Sequence, residues 1–143
     1  MTNNIVDAIS VQLFEIFGAE YAIYTENVEQ DLQEPCFFID VVDARREKII
    51  GQRYYSNNTF DICYFSNEEE RKKDFRNVGD ALMDEMEYIS LANGDLLHAT
   101  NMRCEVIDDV LHFLVDYNLI AMKEMEPYID MENATIDTSI NKE

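Results

Sequence analysis

The sequence of 143 residues lacks several features that identify common classes of protein. No apolar run approaches the roughly 18 residues that a membrane-spanning helix needs. The first ten residues, MTNNIVDAIS, contain no base of the kind that begins a secretion signal. With only four glycines, the chain has no glycine-rich loop that could hold a phosphate, and it has no G-x-S-x-G motif. We therefore expect a soluble, cytosolic protein with no membrane contact.

Cysteine and histidine are also scarce. Cys36, Cys63 and Cys104 stand far apart, without a C-x-x-C pair, in apolar stretches that are typical of strands. We expect them to be free thiols that pack as small apolar side chains. His98 and His112 have no cysteine or acid at ligand spacing along the chain, so we expect no metal site and no cofactor. Among 30 acids, neighbouring carboxylates carry no catalytic signal, and we expect no enzyme activity.

Basic residues are outnumbered, with 11 lysines and arginines against 30 acids and a net charge of −19. Such a chain repels phosphate and lacks the basic surface on which nucleic-acid affinity depends. Three interpretations remain open at this point. The charge keeps the protein soluble, or it attracts a basic partner, or it lines a space through which DNA passes without binding.

Apolar residues at helical spacing predict two helices. The first begins with Asn4 as its N-cap and is followed by Gly18, which suits the position after the last turn. The second begins at Ser66, where S-N-E-E has the form of a capping box completed by Glu69. We expect Gly79 to let this helix approach the sheet closely. The predicted buried face of the second helix consists of Phe75, Val78, Leu82, Met86 and Ile89.

Alternating apolar residues predict a series of strands connected by short turns. The segment ARREKIIGQRYYSNN is expected to be a hairpin arm or a long loop, with Gly51 at its bend. Asp108 and Asp109 form a two-residue hairpin turn, although glycine is commoner at the second position. Short connections predict that neighbouring strands are antiparallel. The predicted strands are residues 21–28, 36–43, 59–65, a short piece at 96–97, 102–107 and 110–121.

This order of elements predicts an α+β fold of two layers, in which both helices pack on one face of a single, mostly antiparallel sheet. Residues 1–123 are expected to form one domain. Residues 124–143 contain six acids, one lysine and no sustained periodicity, and we expect an acidic, mobile tail.

The two faces of the predicted sheet differ in composition. Each strand has one apolar row suited to packing under the helices, and one row that mixes apolar with charged residues. A face exposed to water would be mostly polar, and a buried face would not carry so many charges. The mixed face therefore indicates a protein–protein interface, with coverage by loops or by the acidic tail as the alternative. Its charged members are Asp40, Asp61, Arg103, Glu105, His112 and Asp116.

A cluster of bases interrupts this acidic chain at residues 45–53. We predict that this basic segment contacts another subunit or another protein. When a patch complements a different patch on an identical chain, the contact is head-to-tail and can close into a ring. The four bases of the segment are Arg45, Arg46, Lys48 and Arg53.

Three stretches together carry a resemblance to a known family: IVDAISVQLFEIFGAEYAIYTENVEQDLQEPCFFIDVV, GQRYYSNNTFDICYF and VIDDVLHFLVDYNL. Over about residues 4 to 122, the chain resembles the tail terminator (tail completion) proteins of phages and defective prophages of Gram-positive bacteria. Relatives of these proteins occur in phage-tail-like bacteriocins. The family has no catalytic motif. Asp108-Asp109 departs from the Asp-Gly that the pattern leads us to expect.

The resemblance implies a structural protein that forms a hexameric ring at the head-proximal end of the tail tube. Such a ring assembles in the host cytoplasm, stops polymerisation of the tube and sheath, and offers a surface to the head–tail connector. DNA could pass through it without specific binding. The alternative is an acidic secretion chaperone, which holds an effector segment and is usually dimeric. A DNA-mimic inhibitor fits less well, because bases interrupt the acids of the second predicted helix.

Overall fold

The computed structural model describes residues 2–25 and 32–122, with side chains described as far as Ile120. The predicted acidic tail, residues 124–143, and part of the first predicted strand lie outside the described residues. The elements in chain order are α1 (Thr2–Phe17), β1 (Ala22–Tyr24), β2 (Cys36–Lys48), β3 (Arg53–Phe65), α2 (Arg71–Glu85), β4 (Tyr88–Ser90), β5 (Leu96–Ile107) and β6 (Val110–Met122).

The six strands form one sheet in the order β1-β2-β3-β6-β5-β4. Both helices contribute to a single apolar core on one face of this sheet, which confirms the predicted α+β fold. Four of the five strand pairings are antiparallel, as expected. The prediction was wrong for β1, which pairs in parallel with β2. The connection across residues 25–35 is long enough for the chain to return and run in the same direction.

The core is built from the alternating rows of the central strands. In β3 and β6, every second side chain faces the helices and is nearly inaccessible to solvent. The apolar rows predicted for β2 and β5 also included Val41 and Val106, but these two residues do not join the core: Val41 is 41% exposed and Val106 is 54% exposed. The buried members of the predicted rows are Phe37, Ile39, Phe60, Ile62, Tyr64, Leu111, Phe113, Val115 and Tyr117.

The predicted hairpin arm is confirmed as a continuous extension of β2 and β3. Polar residues pair along it as regularly as apolar ones, so both strands are longer than their apolar patterns indicate. Gly51 lies in the turn with a φ of +57°, a conformation that glycine adopts without strain. A β-bulge at Val42 shifts the register, since Val41 pairs with Phe60 and Asp43 pairs with Thr59. Beyond the bulge the alternation of faces is therefore reversed.

The predicted start of α2 was wrong. The helix begins at Arg71, and no side chain caps it, so the S-N-E-E stretch is not a capping box. The Ser66 hydroxyl instead accepts a hydrogen bond from the backbone N–H of Glu68 at 3.1 Å and donates one to Asp74 Oδ2 at 2.6 Å. Tyr64 donates to the same oxygen at 2.6 Å. Through these two hydrogen bonds, Asp74 links the end of β3 and the segment after it to α2.

Two further helix predictions were wrong and two were confirmed. α1 begins at Thr2, so Asn4 lies inside the helix and is not its N-cap. α2 ends at Glu85, so Ile89 of its predicted face lies on β4. Gly18 follows the last turn with a φ of +90°, and its N–H donates to Phe14 O at 2.8 Å. In α2, a Cβ on Gly79 would lie 3.4 Å from the sulfur of Cys104, which confirms the predicted close approach to the sheet.

The hairpin between β5 and β6 is confirmed as a two-residue turn. Asp108 and Asp109 have φ values of +51° and +62°, the left-handed pair that defines a type I′ turn. This turn type matches the right-handed twist of the strands, and the Asp-Asp sequence adopts it without a glycine.

The contacts of Ser66 predict which residue before α2 contributes to stability. Ser66→Ala removes a buried hydrogen bond to a carboxylate and should lower the free energy of unfolding by about 1–2 kcal/mol. Glu69→Ala should change it by less than about 0.5 kcal/mol, because Glu69 is exposed and caps nothing. Urea unfolding of both variants measures the two effects. Equal losses would indicate that the capping box forms after all.

Candidate functional site

The sheet face opposite the helices, called here the open face, is where the predicted interface residues meet. The strand register places every charged residue predicted for the mixed row on this one face. Asp40 lies opposite Asp61, Glu105 lies opposite His112, and Arg103 lies opposite Leu114. Apolar side chains alternate with them. The structure therefore assembles a surface of mixed character from four different strands.

The charged residues of the open face differ in their surroundings. Asp40, Arg103 and Glu105 are exposed, and the 3.5 Å ion pair between Arg103 and Glu105 contributes little in water. Asp116 is partly buried and is held in place by hydrogen bonds. Thr59 Oγ1 donates to its Oδ1 at 2.6 Å, and Asn101 Nδ2 donates to its Oδ2 at 3.1 Å. Asp116 therefore connects three strands at one end of the face.

Asp61, Cys63 and His112 form a compact cluster at the centre of the open face. Asp61 and Cys63 are two residues apart on β3, and Cys63 lies directly opposite His112 on β6. His112 Nδ1 is 2.9 Å from Asp61 Oδ2 and 3.4 Å from Cys63 Sγ. The Asp61 and His112 side chains are only 18% and 22% exposed. Asp61 Oδ1 is buried and has no hydrogen-bond partner among the residues that the structure describes.

Linear spacing missed this cluster, because His112 lies 49 residues from Cys63 and 51 from Asp61. Sequence reasoning found no cysteine or acid at ligand spacing from His112 along the chain. The only signal was indirect: D-x-C on a strand puts both side chains on one face. The facing histidine could be assigned only once the pairing of β3 with β6 was known.

All three cysteines are free thiols, as predicted. Burial raises the pKa of the Cys63 thiol to about 12, and the negative charges of Asp61 and Asp40 add to the effect. Burial also raises the pKa of Cys36, to about 11. In the described structure neither thiol is an activated nucleophile at neutral pH.

The basic segment forms the tip of the β2–β3 hairpin, where all four predicted bases are exposed. The bulge in β2 divides them between two faces: Arg45 and Arg53 lie on the open-face side, and Arg46 and Lys48 on the helix side. Arg45 pairs with Asp43 at 2.8 Å. Sequence reasoning emphasised the charges and missed the apolar character of the tip, where the turn leaves Ile49 and Ile50 exposed.

Both ends of the sheet leave backbone groups without a strand partner. β1 pairs only with Cys36–Phe38 of β2, and β4 pairs only with Leu96–His98 of β5. Within the described ranges, the outer edge of β2 beyond Phe38 and the outer edge of β5 from Asn101 to Ile107 face no other strand. Exposed edges of this length are templates for pairing with another chain. They also carry exposed apolar side chains, namely Val41, Val42, Val106 and Ile107.

A groove of about 560 Å³ runs between α2 and the unpaired edge of β5. Apolar side chains line most of the groove, which extends to Val106 at the edge of β5. Charges of both signs line the groove, with Lys72 and Arg76 on the helix and Glu105 on the strand. The apolar residues on its walls are Phe75, Gly79, Met83, Cys104, Val106 and Leu111.

The comparison with known protein families identifies the chain. Residues 4–129 match the family described as "Phage tail terminator protein". The chain belongs to this family. The match includes the whole stretch of the resemblance, about residues 4 to 122, and confirms the resemblance to tail terminators. No curated protein matches the chain.

Membership of the tail terminator family makes this a structural component of a phage tail, one that interacts with other tail components. The match gives no support to the secretion-chaperone alternative. Among the described helices, none is long and apolar enough to cross a membrane.

The raised pKa of Cys63 predicts how this thiol responds to pH. Alkylation requires the thiolate, so the rate at Cys63 in the native protein should rise about tenfold per pH unit well above pH 9. An ordinary thiol, with a pKa near 8.5, levels off there. Iodoacetamide labelling read by peptide mass spectrometry measures the rate, and the urea-unfolded chain is the control. A native rate that reaches its plateau near pH 9 would contradict the proposed environment of Cys63.

Proposed function

We propose that this tail terminator protein forms a homo-hexameric ring that caps the head-proximal end of the tail tube. The ring stops polymerisation of the tube, and of the sheath in a contractile tail, and offers a surface to the head–tail connector. The observation that carries the proposal is the pair of unpaired edges, on β2 and β5, at opposite ends of the sheet.

The two edges suggest how subunits join. Each edge has backbone N–H and C=O groups that a neighbouring strand can satisfy. Because the edges belong to different strands, joining β5 of one subunit to β2 of the next is a head-to-tail contact. Such contacts close into a ring when the rotation per subunit divides the circle. The number six is the expectation that follows from the family.

Side chains at the two edges are suited to this contact. Val41 and Val42 are exposed on the β2 edge, and Val106 and Ile107 are exposed on the β5 edge. Burial of these side chains in the contact adds apolar stabilisation. The basic tip of β2 and the acidic Asp108-Asp109 turn lie at opposite ends of the strands. Arg46 and Lys48, which make no ion pair in the described part of the chain, are therefore left for a contact with another tail component.

We assign the open face, rather than the edges, to contact with the tube or the connector. Its half-apolar, charged composition supports this, as such a surface resembles the recognition surfaces of proteins more than a solvent-exposed sheet. The protein acts by contact and needs no catalysis. A net charge of −19 would also let DNA slide through the ring without specific binding.

Edge variants test the proposed subunit contact. Val106→Lys places a charge in the middle of the contact and should weaken ring formation at least tenfold, as measured by sedimentation with and without tube protein. Val11→Lys is the matched control, because Val11 is an equally exposed valine (58%) on α1, away from both edges. Equal behaviour of the two variants, or a wild-type protein that stays monomeric even with tube protein, would rule out the edge contact.

Deletion of the gene tests the terminator role itself. Without the cap, tubes should continue to grow or should fail to join heads, and electron microscopy should show tails of uncontrolled length or unjoined tails. The wild-type gene supplied in trans should restore normal particles, and the Val106→Lys gene should restore few. Particles of normal length and assembly from the deletion strain would refute the role.

A further inference from the structure

The geometry points to a binding site for a divalent transition-metal ion of the zinc class, formed by Asp61, Cys63 and His112 at the centre of the open face. This site goes beyond the tail-capping role and does not depend on it. It also revises the expectation, drawn from linear spacing, that the histidines have no metal-ligating partners.

The first argument is the arrangement of the ligand atoms. One carboxylate oxygen, one sulfur and one imidazole nitrogen all lie within 4.8 Å of one another. Zinc binds such atoms at about 2.0–2.3 Å, so that ligands around one ion lie about 3.3–3.8 Å apart. The observed separations from His112 Nδ1, 2.9 Å to Asp61 and 3.4 Å to Cys63, need only small side-chain rotations. The paired strands fix the backbone positions of the three residues, so only their side chains need to rotate.

The second argument is that the cluster leaves one buried oxygen unpaired among the described residues. His112 Nδ1 lies near Asp61 Oδ2 and Cys63 Sγ, and Cys63 also hydrogen-bonds to Asp61. Asp61 Oδ1 is buried without a partner, which is costly for a charged group. A cation placed between the three side chains would accept a lone pair from each and would compensate the carboxylate.

The third argument is the charge around the cluster. Asp40 lies directly opposite Asp61 on β2, and Glu105 lies directly opposite His112 on β5, both on the same face. These carboxylates make the centre of the open face attractive to a cation. Asp40 or a water molecule would complete a four-coordinate site. The competing arrangement is a protonated His112 paired with Asp61, in which the thiol plays no part.

Metal binding at this site must displace the proton of Cys63, since the ligand is the thiolate. Each ion bound at sulfur therefore releases the thiol proton, whereas an ion bound by ionised carboxylates alone releases none.

Cobalt(II) is the probe for the test, because its absorption reports ligand type and geometry. The full-length protein is reduced, freed of metal with a chelator and titrated with Co²⁺. We expect one equivalent to bind with an intense sulfur-to-cobalt charge-transfer band in the near ultraviolet and visible bands of tetrahedral intensity. One equivalent of Zn²⁺ should then remove both.

Matched variants assign the spectrum to the cluster. Cys63→Ser should abolish the charge-transfer band, and Cys104→Ser, which changes a half-buried cysteine on the helix side, should leave it unchanged. His112→Gln should weaken Co²⁺ binding at least tenfold. His98→Gln should not, because His98 stacks on Tyr88 at the edge of the sheet.

Two results would overturn the site. One is weak, featureless absorption from octahedral Co²⁺, as scattered surface carboxylates give. The other is a charge-transfer band that survives in Cys63→Ser. Circular dichroism of each variant shows whether it is folded, and an unfolded Cys63→Ser is replaced by Cys63→Ala, which should abolish the same band.

Discussion

The structure depends on one constraint, the period of two along β3 and β6. Phe60 and Ile62 on one strand, and Phe113, Val115 and Tyr117 on the other, are at most 1% exposed under the two helices. This packing orients every alternate side chain to the open face. A shift of one residue would bury Asp61 and His112 and expose the core, at a prohibitive cost. The register of the core therefore also determines which residues meet on the opposite surface.

The same sheet has two surfaces that the fold itself does not use. Its edges are covered only in part, since β1 and β4 are three residues long, and neither described helix packs on its second face. A monomeric protein would commonly protect such features with charge, bulges or a covering segment. A member of a tail terminator family has another reason to keep them, because it interacts with other tail components.

Prediction from sequence succeeded where the signal was periodic and failed where it depended on distant parts of the chain. The helix-facing rows, the hairpin arm and the two-residue turn were predicted because alternation and turn residues are local. The predicted capping box does not form, because the Ser66 hydroxyl donates to the Asp74 carboxylate, which also accepts a hydrogen bond from Tyr64. The parallel pairing of β1 could not be inferred from strand order, because strand direction is decided by the path of the connection.

Composition and pattern by themselves determined the α+β class, the mixed character of the second sheet face, the basic segment and the resemblance to tail terminators. Only the tertiary structure decided the strand order, and with it the two open edges, the division of the bases by the bulge at Val42, and the meeting of Asp61, Cys63 and His112. The physical reason is that side-chain alternation is a property of one strand, whereas edges and cross-strand clusters are properties of how strands pair. Pairing joins residues about 50 positions apart, and no local pattern encodes it.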